Sequence, residues 1–305
     1  MFSCHPVVGL LSLLLAGPTT GPAEDLADVS YKVDPHFPKL PADVKLGAVS
    51  GVATDAKGNL LVFHRADPPI LVFDAKGQFQ RSIGQASLFS SAHGLRVDAA
   101  GNLWVTDNAN HTVLKLDASG KVLLTLGELN RRGVDEKHFN RPTDIAFAAN
   151  GDVYVADGYG NARVVKFDKD GRYLKSWGKK GKADGEFNLP HAIQVDSKGQ
   201  VYVGDRENNR IQVFDADGKF LRKIEDIAPF GLCITPDDIL FVADGRANRV
   251  TKMTTDGKVL AVWGVTGTRP GQFDLAHGIT VAADGVVYVS DINGKRVQKF
   301  VPAAH

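Results

Sequence analysis

The chain has 305 residues, with 36 Lys and Arg against 35 Asp and Glu, for a formal net charge of +1. That balance excludes a broad electrostatic footprint for nucleic acid, and a content of 43% hydrophobic and 23% charged residues excludes a disordered chain. Glycine is abundant at 32 residues and cysteine scarce at two, the composition of a fold with many tight turns and few covalent links.

The chain opens on an apolar run, Val7 to Ala16, followed by Gly17-Pro18 and small residues up to Ala23. The run is too short to span a bilayer, which takes about 20 residues. It reads as a secretory signal peptide over residues 1–23, with His5 the one basic group of its n-region. Cleavage there is expected to leave one domain, 24–305, that is secreted or periplasmic, monomeric and free of the membrane. Cys233 is then its single cysteine, so no internal disulfide is expected.

Beyond residue 50 a thirteen-residue pattern recurs: an apolar strand, a polar turn usually carrying Gly, and a second apolar strand ending in a polar residue. The copies are VATDAKGNLLVFH (52–64), LRVDAAGNLWVTD (95–107), IAFAANGDVYVAD (145–157), IQVDSKGQVYVGD (193–205), LCITPDDILFVAD (232–244) and ITVAADGVVYVSD (279–291). Their last residues, His64, Asp107, Asp157, Asp205, Asp244 and Asp291, stand 43, 50, 48, 39 and 47 residues apart. A third strand such as RVVKFD (163–168) follows most copies, and a fourth follows a Gly turn, as in GRYLKSWG (171–178). Four short antiparallel strands at this period predict an all-β fold, a six-bladed β-propeller. The last unit stops after RVQKF (296–300), so the segment from Val29 to Phe37 is expected to add its fourth strand and close the ring.

Residues shared by all repeats build the scaffold, so a site is sought among those that differ. The strand-end Asp, present in five of six copies, reads as structural, its carboxylate accepting from backbone amides of the next turn. Fourteen residues before each strand end stand Ser50, His93, Thr143, His191, Phe230 and His277. Histidine thus falls in blades two, four and six. Alternate blades of a six-fold ring stand about 120° apart, and the innermost strand of each lines the axis. Three imidazoles therefore converge on one axial point, the donor set of a catalytic metal centre with an open position. Antiparallel pairing brings the residues after each second strand to the same face: Arg65, Asn108, Gly158-Tyr159, Arg206, Gly245-Arg246 and Ile292. Two arginines and a tyrosine around a metal point to an anionic substrate and an acid/base group whose phenolate a dication favours. The bland alternative pairs Arg65 and Arg206 with strand-end carboxylates.

At these residues the sequence resembles the peptidyl-α-hydroxyglycine α-amidating lyases, a branch of the NHL-repeat-like propellers. The resemblance rests on SGVATDAKGNLLVFHR (50–65), AHGLRVDAAGNLWVTD (92–107), RPTDIAFAANGDVYVADGYGNARVVKF (141–167), LPHAIQVDSKGQVYVGDRENNRIQVF (189–214) and AHGITVAADGVVYVSD (276–291). It implies a catalytic Zn²⁺ on His93, His191 and His277, Tyr159 as general base, and Arg65 and Arg206 on the substrate. It also implies cleavage of a peptidyl- or N-acyl-α-hydroxyglycine to an amide and glyoxylate. A structural Ca²⁺ is implied on the carbonyls of Val52 and Leu95 and on an Asp after the third histidine, but Gly278 stands there. Gly160 likewise follows Tyr159 where animal members have a disulfide-forming cysteine, and the expected six blades leave no room for the monooxygenase coupled to the animal lyases. Two alternatives carry different expectations. A metal-dependent propeller hydrolase of the lactonase kind favours a carboxylate and Asn set for Ca²⁺, which three histidines oppose. A non-catalytic NHL-type binding module predicts no stoichiometric metal.

Overall fold

Val, Ile, Leu and aromatic residues dominate both strands of each thirteen-residue copy, and a turn between them closes a hairpin. In the computed structural model, which describes Met1 and residues 30–303, each copy lies within a four-stranded antiparallel sheet. The expected signal peptide, Met1 apart, lies outside the described residues. Blade one is built from Val49–Thr54, Leu60–His64, Ile70–Phe73 and Phe79–Ile83. Blades two to five follow the same order. Blade six takes Ala276–Val281, Val287–Asp291 and Arg296–Pro302 from the C-terminal end, and its outer strand is β1, Tyr31–Asp34. β1 pairs antiparallel with Arg296–Pro302, Tyr31 opposite Pro302 and Asp34 opposite Lys299, which closes the ring as expected. A short parallel pair, Val265–Thr266 with Gln272–Phe273, was not signalled by the repeat pattern.

The second strands wedge the blades together. Three residues before each strand end stand Leu61, Trp104, Tyr154, Tyr202, Phe241 and Tyr288, all at 3% exposure or less. Each large ring removes about 150–250 Å² from water, worth about 4–6 kcal/mol at about 25 cal/mol per Å². With no disulfide among the described residues and Cys233 free, this burial between blades holds the ring closed.

The strand-end carboxylates behave as expected and do more. Asp107 accepts from the amides of Ala109 and Asn110 in the next turn, and from Ser91 before its own blade. Asp157, Asp205 and Asp291 bind Arg163, Arg210 and Arg296 of the adjacent third strand at 2.9 Å. The carboxylates are thus satisfied without Arg65 or Arg206. In blade one His64 takes over part of the role, its Nδ1 accepting from the Gly47 amide at 3.0 Å.

Candidate metal centre and its mouth

The three histidines project from the starts of alternate innermost strands, and each is nearly buried: His93 2%, His191 1% and His277 5% exposed. A β-bulge puts them there. Pairing of first and second strands slips between Ala92 and Leu95, between Pro190 and Ala192, and between Ala276 and Ile279. The slip leaves each histidine out of the ladder and turns its side chain to the axis. Their candidate ligand nitrogens all lie within 4.8 Å of one another.

The odd blades orient them. His93 Nδ1 donates to the Thr143 carbonyl at 2.7 Å, His191 Nδ1 to that of Phe230 at 2.7 Å, and His277 Nδ1 to that of Ser50 at 2.8 Å. Each acceptor is the same-register residue of the next blade, so the three positions without histidine complete the site through their backbone. The sequence signal for this is the glycine after four of the six register residues. At Gly94 a Cβ would stand 2.7 Å from the Thr143 carbonyl oxygen, so a side chain there would push away the acceptor that orients His93.

The imidazoles are held neutral. Burial pushes His93 well below the usual histidine range, helped by the charge of His277. Burial likewise lowers His191, with His93 and His277 adding to it. His277 is lowered to about 4, again by burial first and by Arg65 and Arg206 after it. A neutral imidazole whose Nδ1–H is spent on a carbonyl has a bare Nε2, the atom a metal needs, and the carbonyl is the usual outer partner of a ligating histidine. The donor set therefore fits a first-row dication.

Tyr159 lies against these nitrogens. Its Oη is 3.1 Å from Nε2 of both His93 and His191. Its amide donates to the Arg141 carbonyl, just as those of Arg65, Asn108, Arg206 and Ile292 bind Ala48, Ser91, Leu189 and Leu275. The mouth residues are thus pinned to the segment that leads into the innermost strand of their own blade. Arg206 directs Nη1 at Tyr159 Oη, 3.5 Å away. Its Cζ stands 5.5 Å from the Tyr159 ring centre and 4.7 Å from that of Phe230. Arg65 donates Nε to the Ala92 carbonyl at 3.1 Å, next to His93. Asn108 and Ile292 are buried and Arg246 is exposed on the rim. Two participants were missed from sequence: Arg141, whose Cζ lies 5.0 Å from the Tyr159 ring centre, and Glu207, which pairs with Arg206.

NHL-repeat models match residues 89–116, 139–167 and 187–214, inside blades two to four. A probable peptidyl-α-hydroxyglycine α-amidating lyase of Caenorhabditis elegans is 32% identical over 83% of this chain and 82% of its own length. The chain belongs to this NHL-repeat lyase family. NHL repeat-containing protein 3 of Homo sapiens is 31% identical over 90% of this chain and 85% of its own length. Peptidyl-glycine α-amidating monooxygenase A of Xenopus laevis is 34% identical over 90% of this chain but only 34% of its own length, so the chain spans about a third of that relative. Among solved structures, a streptogramin B lyase shares the fold with a TM-score of 0.64, at 17% identity over 90% of this chain and 98% of that one.

The calcium set implied by the family does not fit. Gly278 supplies no carboxylate, and a Cβ there would lie 3.0 Å from both Ser290 Oγ and the Ser50 carbonyl oxygen, so an aspartate would enter only with a shift of these neighbours. Beneath the histidines the axis is crossed by an ion pair. Arg96 binds Asp144 through Nε at 3.0 Å and through Nη2, which also donates to the Leu232 carbonyl at 3.1 Å. Their side chains are 15% and 7% exposed. A guanidinium from blade two thus supplies positive charge to blades three and five across the channel.

Proposed function

We propose that this chain is a metal-dependent carbon–nitrogen lyase that cleaves peptidyl- or N-acyl-α-hydroxyglycine to an amide and glyoxylate. The observation that carries this reading is the Tyr159 hydroxyl at 3.1 Å from Nε2 of both His93 and His191, with Arg206 behind it. His93, His191 and His277 would hold the metal, with Zn²⁺ the ion that suits three neutral imidazoles. When bound, it supplies Lewis-acid polarisation to the substrate hydroxyl oxygen.

The chain's own groups do the rest. Arg206 and Arg65 bind the substrate carboxylate and orient the α-carbon over the histidines. Tyr159, reacting as the phenolate that a bound dication would favour, accepts the hydroxyl proton at Oη as the C=O bond of glyoxylate forms. The C–N bond breaks, its electron pair stays on nitrogen, and the proton passes to that nitrogen to give the amide. The reaction needs neither water nor an oxidant, which agrees with a mouth built of donors and one phenol.

The test is incubation of purified protein with α-hydroxyhippurate, with glyoxylate measured and metal content determined in parallel. About one first-row metal per chain and steady glyoxylate release are expected. His191→Ala should stay folded, lose metal and lose activity; Tyr159→Phe should keep metal and turn over poorly. A wild-type protein with neither metal nor glyoxylate release overturns the lyase reading in favour of a binding module. The amidated peptide is the physiological product under this proposal, and export through residues 1–23 is part of it.

A further inference from the structure

Arg206 has three guanidinium nitrogens, and their uses are unequal. Nε and Nη2 both reach Oε1 of Glu207, each at 2.9 Å. Nη1 is left to face Tyr159 Oη. The other carboxylate oxygen, Oε2, receives Nη2 of Arg246, whose Nη1 in turn donates to Asn209 Oδ1. Phe230 lies under the flat face of the guanidinium, 4.7 Å from ring centre to Cζ. A chain of contacts thus runs from the exposed rim at Arg246, through the half-buried Glu207, to the edge of the histidine centre.

We propose that Glu207 is a positioning residue that decides which edge of Arg206 meets the substrate carboxylate, with Arg246 as its outer anchor. This rests on the lyase reading for the identity of the anion. A guanidinium stacked on Phe230 alone is free to turn about its stem. Held at Nε and Nη2 by one oxygen, it presents Nη1 inward, and the fixed fork is what makes an arginine a directional carboxylate binder. Glu207 also offsets part of the charge of Arg206, Arg246 and Arg65, so the mouth stays cationic enough for one carboxylate without holding a bulk anion in its place.

The substitutions separate geometry from charge. Both Arg206 contacts fall on a single oxygen, so Glu207→Gln can keep them through its amide oxygen, while its NH₂, a donor, no longer accepts from Arg246. Glu207→Ala removes the hold entirely. Two readouts are used: binding of hippurate, the unreactive analogue lacking the α-hydroxyl, by calorimetry, and the ¹⁵Nε–H resonance of Arg206. Glu207→Ala should weaken hippurate about tenfold or more and average the Arg206 signal, with metal content and melting temperature held. Glu207→Gln and Arg246→Ala, which both lose the outer anchor but keep the Arg206 contact, should fall together between wild type and Glu207→Ala. On turnover of α-hydroxyhippurate the loss should appear in KM more than in kcat. A Glu207→Ala protein that binds hippurate as wild type does, with a sharp Arg206 signal, overturns the proposal. Failure of wild type to bind hippurate overturns the lyase reading instead, because the Arg206 resonance still reports whether Glu207 holds the side chain.

Discussion

The Gly158→Ala substitution tests the mouth with a single methyl group. Gly158 has no left-handed backbone torsion, so alanine is compatible with its main chain. The obstacle is packing. A Cβ on Gly158 would overlap the Pro190 carbonyl oxygen, with the Pro190 carbonyl carbon 2.9 Å away and Thr143 Cγ2 at 3.2 Å. Non-bonded carbons settle at about 3.5–4.0 Å, so either the Gly158–Tyr159 turn or the Pro190–His191 segment must shift by about 1 Å. Both shifts damage the same centre. The first lifts Tyr159 Oη from Nε2 of His93 and His191, and the second moves His191 itself. A misplacement of about 1 Å costs about a hundredfold in rate, and overpacking of this kind costs about 1–3 kcal/mol of stability. The expected result is a folded protein whose kcat/KM on α-hydroxyhippurate is down about a hundredfold, with reduced metal content if the shift falls on His191. Gly160→Ala is the matched control. It lies two residues on, and the three atoms nearest its Cβ all belong to the Asn140 side chain and not to backbone, so the strain is expected to fall on a rotatable group. That variant should keep activity within about threefold. Wild-type turnover in a Gly158→Ala protein would refute the argument that Tyr159 acts from this position.

Three further outcomes follow from the geometry. Asp144→Ala leaves the Arg96 guanidinium buried without its ion-pair partner, so urea unfolding should show a loss of about 3–5 kcal/mol, most of it recovered in the Arg96→Met/Asp144→Ala double variant. Because Gly278 supplies no carboxylate and the Arg96 guanidinium reaches across the axis to Asp144 and Leu232, neither EGTA nor added calcium should move the melting temperature. His138 is raised above the usual histidine range by its hydrogen bond to Glu128 first and to Asp135 second. A raised folded value means that the clamp on the loop between Glu128 and His138 is complete below the unfolded value of about 6.5 and is lost as pH rises through the folded one. Nuclear magnetic resonance titration should find His138 above 6.5, and Glu128→Gln should bring it down.

How much of the site can be read in the sequence depends on whether its parts follow the repeat. The six hairpins, the ring closure by the segment around Tyr31 and the alternation of His93, His191 and His277 are all matters of period, and period survives in a linear string. The axial convergence of the three histidines adds only the symmetry of the fold. The carbonyls of Ser50, Thr143 and Phe230 are invisible in that reading because every residue has one; a bulge and a following glycine mark Ser50 and Phe230, and Thr143, followed by Asp144, carries neither mark. Glu207 and Arg141 escape for a different reason. Each follows or precedes a strand at a position where the six blades have nothing in common, and a charged residue in a turn is ordinarily just solvated. What distinguishes them is proximity to Tyr159 and Arg206, which is set by how neighbouring blades pack. The same logic explains why the net charge of +1 says so little about chemistry. Arg65, Arg141, Arg206 and Arg246 gather at one mouth with Glu207 as the carboxylate between two of them, and the compensating acids are spent on strand ends and turns. An anion site in a repeat protein is therefore to be sought where the repeats stop agreeing, and its strength in the few carboxylates that hold its arginines still.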